Sequence, residues 1–236
     1  MKITLVLPTY NEAENLPRLV PALFNLGLPD LRLLIVDDLS PDGTGDVAEG
    51  LAKQFPGRIE VLHRKGPRGL GRAYVFAFEH ALQGDAEAIG QMDCDFSHPP
   101  EKLPALAARL ETCDLALGSR YIPGGGVDER WPLWRKALSR WANFYARSIL
   151  GLPVRDVTGG FRLWRREMLQ RIPYRYVISN GYVFLVELLY LAQLQGCRFG
   201  EVPIYFADRK WGESKMNIRV QLEAAWRVWQ VKWRYG

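Results

Sequence analysis

The sequence predicts an α/β protein whose core is a mostly parallel sheet covered by helices on both faces. Three observations carry this expectation. Short continuous apolar runs rich in Leu, Ile and Val recur through the first half and are bounded by turn residues. Stretches with helical spacing separate them, the pattern of parallel strands joined by helical crossovers. Each cluster of Asp, Gly and Tyr that suggests chemistry follows directly on a strand, where open sheets of this kind bind ligands.

The elements follow in order. KITLVL (2–7) reads as the first strand; it turns polar soon after Pro8 and is too short for a secretory apolar segment. LRLLIVD (31–37), RIEVLH (58–63), AEAIGQM (86–92) and DLALGS (114–119) read as further strands. Helical spacing fills 14–26, 44–55, 71–82 and 100–110 between them. In the second half, 131–150 and 181–195 read as helices and 199–206 as a strand. A terminal helix spans 217–235. At 100° per residue it gathers Ile218, Leu222, Ala225, Trp226, Trp229 and Trp233 on one arc, and Arg219, Glu223, Arg227, Gln230 and Arg234 on another. Its charges forbid spanning a bilayer. A Trp stripe beside Arg suits a membrane interface, and equally the covering of a core.

At 236 residues and 48% apolar, the chain suits one domain, or one domain with an appendage. No apolar run approaches the roughly 18 residues of a membrane-spanning helix. Cys94, Cys113 and Cys197 are odd in number and lack CxxC spacing, which points to reduced thiols in a cytosolic protein. The net charge of +5 resides wholly in residues 209–236, where seven basic residues face two acidic ones. A nucleic-acid binder spreads a basic face over its fold. A basic tail instead suits an anionic ligand or a membrane surface.

Four loops carry the candidate chemistry: PTYNE, DDLSPDGT, DCD and SRY. Asp93 and Asp95 of DCD admit two readings. One is turn and cap formation, for which a single Asp suffices. The other is a pair of hard oxygen ligands for Mg²⁺ or Mn²⁺ shared with substrate phosphates. His63, His80 and His98 are scattered, which argues against zinc. In DDLSPDGT, Pro41, Asp42 and Gly43 form a turn that Ser40 or Thr44 carries into the next helix. Asp37 and Asp38 are placed to accept hydrogen bonds from a nucleoside. GLGRA lacks the full dinucleotide fingerprint; Gly69 and Gly71 read as a helix-entry turn near phosphate.

PTYNE, VDDLSPDGT, GLGRA, DCDFSHPP, GSRY, DVTGGFRLWRR, GYVF…E and DRKWGESKM occur in that order, from Pro8 to about Met216. Together they resemble the dolichyl- or polyprenyl-phosphate mannose synthases, inverting nucleotide-sugar glycosyltransferases of family 2 with the GT-A fold. The resemblance implies a catalytic domain over 1–215 and a C-terminal amphipathic, membrane-interfacial helix over 216–236. It implies that Pro8, Tyr10, Glu12, Val36 and Asp38 hold the nucleoside of GDP-mannose. Asp93, Cys94 and Asp95 meet a metal-bridged diphosphate, with Asp93 and Asp95 holding Mg²⁺ or Mn²⁺. Arg120, Arg209 and Lys215 contact the donor's phosphates or the phosphate of a dolichyl or polyprenyl acceptor. Cys94 stands where the family carries a small Ala, and Ser97 where some members carry a metal-binding Gln, which leaves a third protein ligand open.

The implied activity is inverting transfer of mannose from GDP-mannose to a polyprenyl phosphate. The implied place is the cytoplasmic face of a membrane, held peripherally, with the membrane surface or a small membrane-anchoring subunit as partner and no nucleic acid. Two other readings share the fold: a UDP-glucose-type donor, and a membrane-docked nucleotide-binding subunit without turnover. Arg135, Ser139 and Arg140 line an acceptor groove or form a solvated helix face. Asp156 and Arg162, which flank TGGF, read as a buried pair. Glu187, alone on an apolar helix, needs a partner if buried and reads as a loop anchor.

Overall fold

The computed structural model describes residues 1–179, 181–208 and 218–236, with side chains in the last segment from Ala225 onward. The first half alternates as expected: β1 (Ile3–Thr9), α1 (Leu16–Phe24), β2 (Leu31–Asp37), α2 (Thr44–Gln54), β3 (Ile59–His63), α3 (Leu70–Ala81) and β4 (Ala88–Gln91). The stretch at 100–110 divides into a 3₁₀ turn, Pro100–Lys102, and α4 (Leu103–Arg109). Pro104 has no amide to donate and is tolerated only in a first turn, so a new helix starts there.

β5 (Leu115–Ser119) and β6 (Gly126–Val127) precede the long α5 (Leu133–Leu150). Then come β7 (Arg162–Arg165), α6 (Arg166–Arg171), α7 (Gly181–Leu194), β8 (Phe199–Pro203), β9 (Tyr205–Phe206) and α8 (Ile218–Tyr235). The expected strand over 199–206 is two: β8 pairs with β5, then the chain leaves the main sheet and β9 pairs with β6.

The main sheet has the order β3-β2-β1-β4-β7-β5-β8. β1 pairs in parallel with β2 on one side and β4 on the other, so the chain reverses its direction of travel across the sheet at β1. That switch point opens a crevice beyond the carboxyl ends of β1 and β4. β7 alone runs antiparallel, between β4 and β5, and no reading of the sequence anticipated it. Its RLWR carries a charge at each end, which hides a strand whose Arg162 is fully buried.

Alternate strand residues feed two cores. Leu5, Leu7, Leu33 and Ile35 pack against α1, α2 and α4. Val6, Leu34 and Val36 pack on the opposite face, with α3, α5, α6, α7 and α8. α8 contributes Val228 and Val231 to that second core. Its tryptophans face outward, with Trp226 at 56%, Trp229 at 39% and Trp233 at 64% exposure. The stripe is therefore surface, not core.

Candidate active site

The loops after β1, β2 and β4 converge on the crevice, and each holds one residue in the left-handed backbone region: Asn11 (φ 62°), Leu39 (φ 53°) and Phe96 (φ 60°). Among the described residues these are the non-glycine positions with positive φ. Such conformations cost about 1–3 kcal/mol and persist where surrounding contacts fix them.

Those contacts come from short polar side chains. Asp37 accepts the hydroxyls of Thr9 (3.1 Å) and Ser40 (2.5 Å) and the amide of Ser40 (3.1 Å), which folds the loop back on β1. Asp42 accepts the amide and hydroxyl of Thr44 and the amide of Ala13. Thr44 in turn accepts the amide of Glu12 at 2.9 Å, fastening the PTYNE loop to α2. In DCD, Asp95 accepts the amide (3.0 Å) and hydroxyl (2.5 Å) of Ser97. The Asp93 amide donates to Nδ1 of His98 at 3.1 Å, so that nitrogen carries no proton. His98 is buried, stacked on Phe161 and edge-on to Phe206, and burial lowers its pKa.

On the other side of the crevice, Arg120 and Asp156 form a buried bidentate pair at 2.7 Å for both contacts. Asp156 also accepts the Arg120 amide, and Thr158 accepts from the same guanidinium at 2.8 Å. Burial alone would raise the Asp156 pKa; the charge and hydrogen bonds of Arg120 outweigh it and hold the carboxyl below its usual range. Phe206 lies 5.2 Å from the same guanidinium, so one ring touches both His98 and Arg120.

A family model, Glycosyl transferase family 2, matches residues 4–173. The chain is 43% identical over 232 residues to a polyprenol monophosphomannose synthase of Mycolicibacterium smegmatis, covering 97% of this chain and 87% of that one. It is 41% identical over 224 residues to an undecaprenyl-phosphate mannosyltransferase of Micrococcus luteus, covering 95% and 91% respectively. The chain belongs to glycosyltransferase family 2. Its fold is that of a glucosyl-3-phosphoglycerate synthase from Mycobacterium tuberculosis, solved with Mn²⁺, UDP and phosphoglyceric acid: TM-score 0.68 at 18% identity, covering 98% of this chain and 76% of that one.

As a family 2 glycosyltransferase, the chain is an enzyme with a GT-A fold. The structure gathers Pro8, Tyr10, Glu12, Asp38, Asp93, Cys94, Asp95 and Arg120 at the carboxyl end of the sheet. Several are engaged in ways the sequence did not suggest. Asp38 is buried in a bidentate pair with Arg64, at 2.5 and 2.6 Å, and accepts the Gly69 amide at 3.3 Å. Tyr10 lies under the Arg68 guanidinium, 4.2 Å from its ring centroid. The Val36 and Cys94 side chains point into the two cores, which leaves only their main chains to face a ligand. Burial also pushes the Cys94 thiol up, keeping it neutral.

Arg209 and Lys215 lie outside the described residues, as does the boundary at 215. The chain reaches Arg209 from a fixed point: Asp208 accepts from Trp131 Nε1 (3.2 Å) and Arg135 (3.3 Å), and its amide donates to Asp128 (2.9 Å).

Three expectations are corrected or sharpened. Asp156 pairs with Arg120, and Arg162 instead donates to the carbonyls of Gly159 (2.9 Å), Leu185 (2.7 Å) and Val157 (3.1 Å). Burial lowers the Arg162 pKa to about 9. Gly71 is small for packing: a Cβ there would lie 2.8 Å from Phe184 of α7. Arg135 and Ser139 are engaged, with Asp208 and with Tyr121 (2.6 Å), whereas Arg140 is exposed. Glu187 is the loop anchor expected, accepting the amides of Ile178 (3.1 Å) and Ser179 (2.9 Å). Arg64 and Arg68 escaped notice, although HRKGPRG after β3 was a visible basic run at a strand end. Phe206 gave no signal at all.

The donor chemistry at β4 fits a hard divalent cation. Asp93 is half-buried and Asp95 buried, both are carboxylates, and the neighbouring His98 has one ring nitrogen committed to the backbone. Among the described residues no cluster of three or more His, Cys, Asp or Glu forms a complete protein cage. Two carboxylates with the remaining positions left to substrate oxygens and water is the usual arrangement for Mg²⁺ with a diphosphate.

Proposed function

We propose that this enzyme transfers mannose from GDP-mannose to a polyprenyl or dolichyl phosphate with inversion, aided by Mg²⁺ or Mn²⁺. The observation that carries this reading is similarity at 41–43% identity, over nearly the whole chain, to two enzymes named for mannosyl transfer to polyprenyl phosphates. The crevice chemistry agrees with it. A phosphate monoester has its second pKa near about 6, so the acceptor is already nucleophilic at neutral pH and needs no general base. Asp93 and Asp95 therefore act as holders of a cation rather than as proton acceptors. When bound, the divalent cation supplies positive charge to the departing diphosphate.

Pro8, Tyr10, Glu12 and Asp38 lie where a nucleoside enters beyond β1 and β2, and Arg64 holds the Asp38 carboxylate in a fixed orientation. Arg120, its charge matched by Asp156, fixes the wall opposite the carboxylates. Arg209 and Lys215 orient phosphate through charge-assisted hydrogen bonds.

Among the described residues no helix is long and apolar enough to cross a membrane. Peripheral docking on anionic lipid is supported by the outward Trp stripe of α8 and by Trp134, Trp141 and Phe144 on α5, which also face solvent. α5 and α8 are joined where Trp229 Nε1 donates to the Tyr145 hydroxyl at 3.0 Å.

A donor panel tests the reading: GDP-mannose, UDP-glucose and UDP-GlcNAc are offered with a polyprenyl phosphate and the lipid product is extracted. Mannosyl lipid should form from GDP-mannose alone, and GDP should bind more tightly than UDP when metal is present. Efficient transfer from UDP-glucose would move the assignment to a glucosyl enzyme. Nucleotide binding without any turnover would make the chain a docked subunit.

A further inference from the structure

Beyond the crevice, between α3 and the segment before α7, runs a groove of about 620 Å³ whose lining includes Arg64, Lys65, Arg72, Phe76, Ile178 and Ser179. That volume lies within the range of about 300–1,000 Å³ usual for small-ligand sites. Most of its charges are already matched. Arg64 pairs with Asp38 and Arg175 with Glu79 at 2.8 Å, while the His63 ring is hydrogen-bonded to Glu49 at 3.1 Å.

Lys65 and Arg72 differ. Both are exposed, and neither forms an ion pair among the described residues. Ser179 supplies an independent observation. It is 4% exposed, its amide is fixed by Glu187, and its hydroxyl has no hydrogen-bond partner among the described residues. Buried hydroxyls are ordinarily satisfied, and one left open on the wall of a groove marks a place for a ligand atom.

We infer that this groove receives the acceptor before transfer: Lys65, Arg72 and Ser179 take the phosphate of a polyprenyl phosphate, and Phe76, Val177 and Ile178 take its first isoprene units. The inference rests on the acceptor class proposed above. Charge decides for a monoester, since its phosphate carries about −1.5 to −2 at pH 7 and the two unmatched cations balance it. Val75, Phe76, Val177 and Ile178 add an apolar stretch of wall, which inorganic phosphate or a sugar phosphate would leave wet.

Position agrees as well. The wall segment is tied to the terminal helix, because the Tyr235 hydroxyl bonds to the Tyr176 carbonyl (3.1 Å) and to Glu187 (2.9 Å). A lipid leaving a membrane docked on the outward face of α8 thus meets the groove at its Val177 end, next to Tyr176. The groove meets the crevice at its Arg64 end, where Arg64 pairs with Asp38.

The test uses the full chain. Farnesyl phosphate, farnesol and inorganic phosphate are titrated calorimetrically without donor, and steady-state kinetics with GDP-mannose follow. Farnesyl phosphate should bind at least about tenfold more tightly than either of the others. Lys65→Ala/Arg72→Ala should raise both its Kd and the acceptor KM by about ten- to a hundredfold, while kcat, Tm and GDP affinity stay within about twofold. Ser179→Ala should raise the acceptor KM by about three- to tenfold.

Unchanged acceptor KM and Kd in the double variant would overturn the inference, as would a matching loss of GDP affinity, which would assign these cations to the donor. Equal binding of inorganic phosphate would remove the isoprene half of it. Failure of the functional reading looks different: wild-type protein would make no mannosyl lipid, yet farnesyl phosphate would still bind and lose affinity in the variant.

Discussion

Acidic residues at the carboxyl end of the sheet are held in two different ways. In the loops after β1, β2 and β4, Asp37, Asp42 and Asp95 rest on hydroxyls and amides supplied by Thr9, Ser40, Thr44 and Ser97. Across the crevice the acids are matched by guanidinium groups: Asp156 by Arg120 and Asp128 by Arg130. Hydroxyls and amides shape a loop without cancelling its charge, so the first region keeps a negative field that a cation can use. Guanidinium pairs cancel charge and fix geometry, so the second region serves as a rigid wall. Asp38, paired with Arg64, is the exception within the first region.

The largest expected effect breaks the wall. Asp156→Asn leaves Arg120 buried without its counter-charge, and loss of one partner of a buried pair costs about 3–5 kcal/mol. Denaturant unfolding should show a loss of that size. The pH dependence has a definite sign. The folded Asp156 pKa is depressed, so its contribution is complete above its unfolded value of about 3.9 and is lost as pH falls through the folded value. Wild-type stability should therefore fall on acidification below about pH 4, and the variant should follow a flatter curve there. A fully stable Asp156→Asn would mean that the two regions do not differ as argued.

Asp95→Asn probes the other region. Asn keeps the side-chain oxygen that accepts the amide and hydroxyl of Ser97, so the loop should hold and Tm should barely move. Removing a charged cation ligand should lower turnover by at least about a hundredfold, and EDTA should do the same to wild type. Full activity in EDTA would show that the hydroxyl-supported carboxylates have no cation to hold.

The same contrast explains what could be read from the sequence. The first half was legible element by element because a parallel strand buried on both faces must be continuously apolar, and its ligand loops must follow it. LRLLIVD shows this most clearly, with predicted and observed bounds the same. β7 was not legible, because Arg162 and Arg165 look like surface residues until Gly159, Val157 and Leu185 are seen to supply carbonyls to a buried guanidinium. Pairings fail for a similar reason. Asp156 lies nearer in sequence to Arg162 than to Arg120, yet its partner is set by where β5 ends. PTYNE, DCD and GSRY come together at the crevice as a set of loops, while Arg64 and Phe206 depend on contacts between distant segments that no local pattern records.

A smaller effect is expected from Arg209→Ala. A charge-assisted hydrogen bond to phosphate contributes roughly 1.5–3 kcal/mol, equivalent to about ten- to a hundredfold in kcat/KM. Tm should remain nearly unchanged. A change under about threefold, or a large loss of thermal stability, would place Arg209 outside the site.

The smallest effect concerns α8, whose two faces repeat the contrast between what is buried and what is offered to a partner. Val228 and Val231 are buried in the core, while Trp226, Trp229 and Trp233 form a contiguous outward cluster with ring centroids 5.6 and 5.8 Å apart along its length. Replacing all three tryptophans by Ala removes the cluster and leaves both valines in place, so unfolding should begin at nearly the same temperature. Membrane affinity should fall. Burying even about 60 Å² of apolar surface stabilises by roughly 1.5 kcal/mol, which corresponds to about tenfold in partition. Flotation on anionic vesicles should drop by that order, and added salt should weaken wild-type binding because the basic residues act through a screened attraction. If binding survives the substitution but not the salt, charge alone brings the chain to the membrane and the outward tryptophans serve another partner.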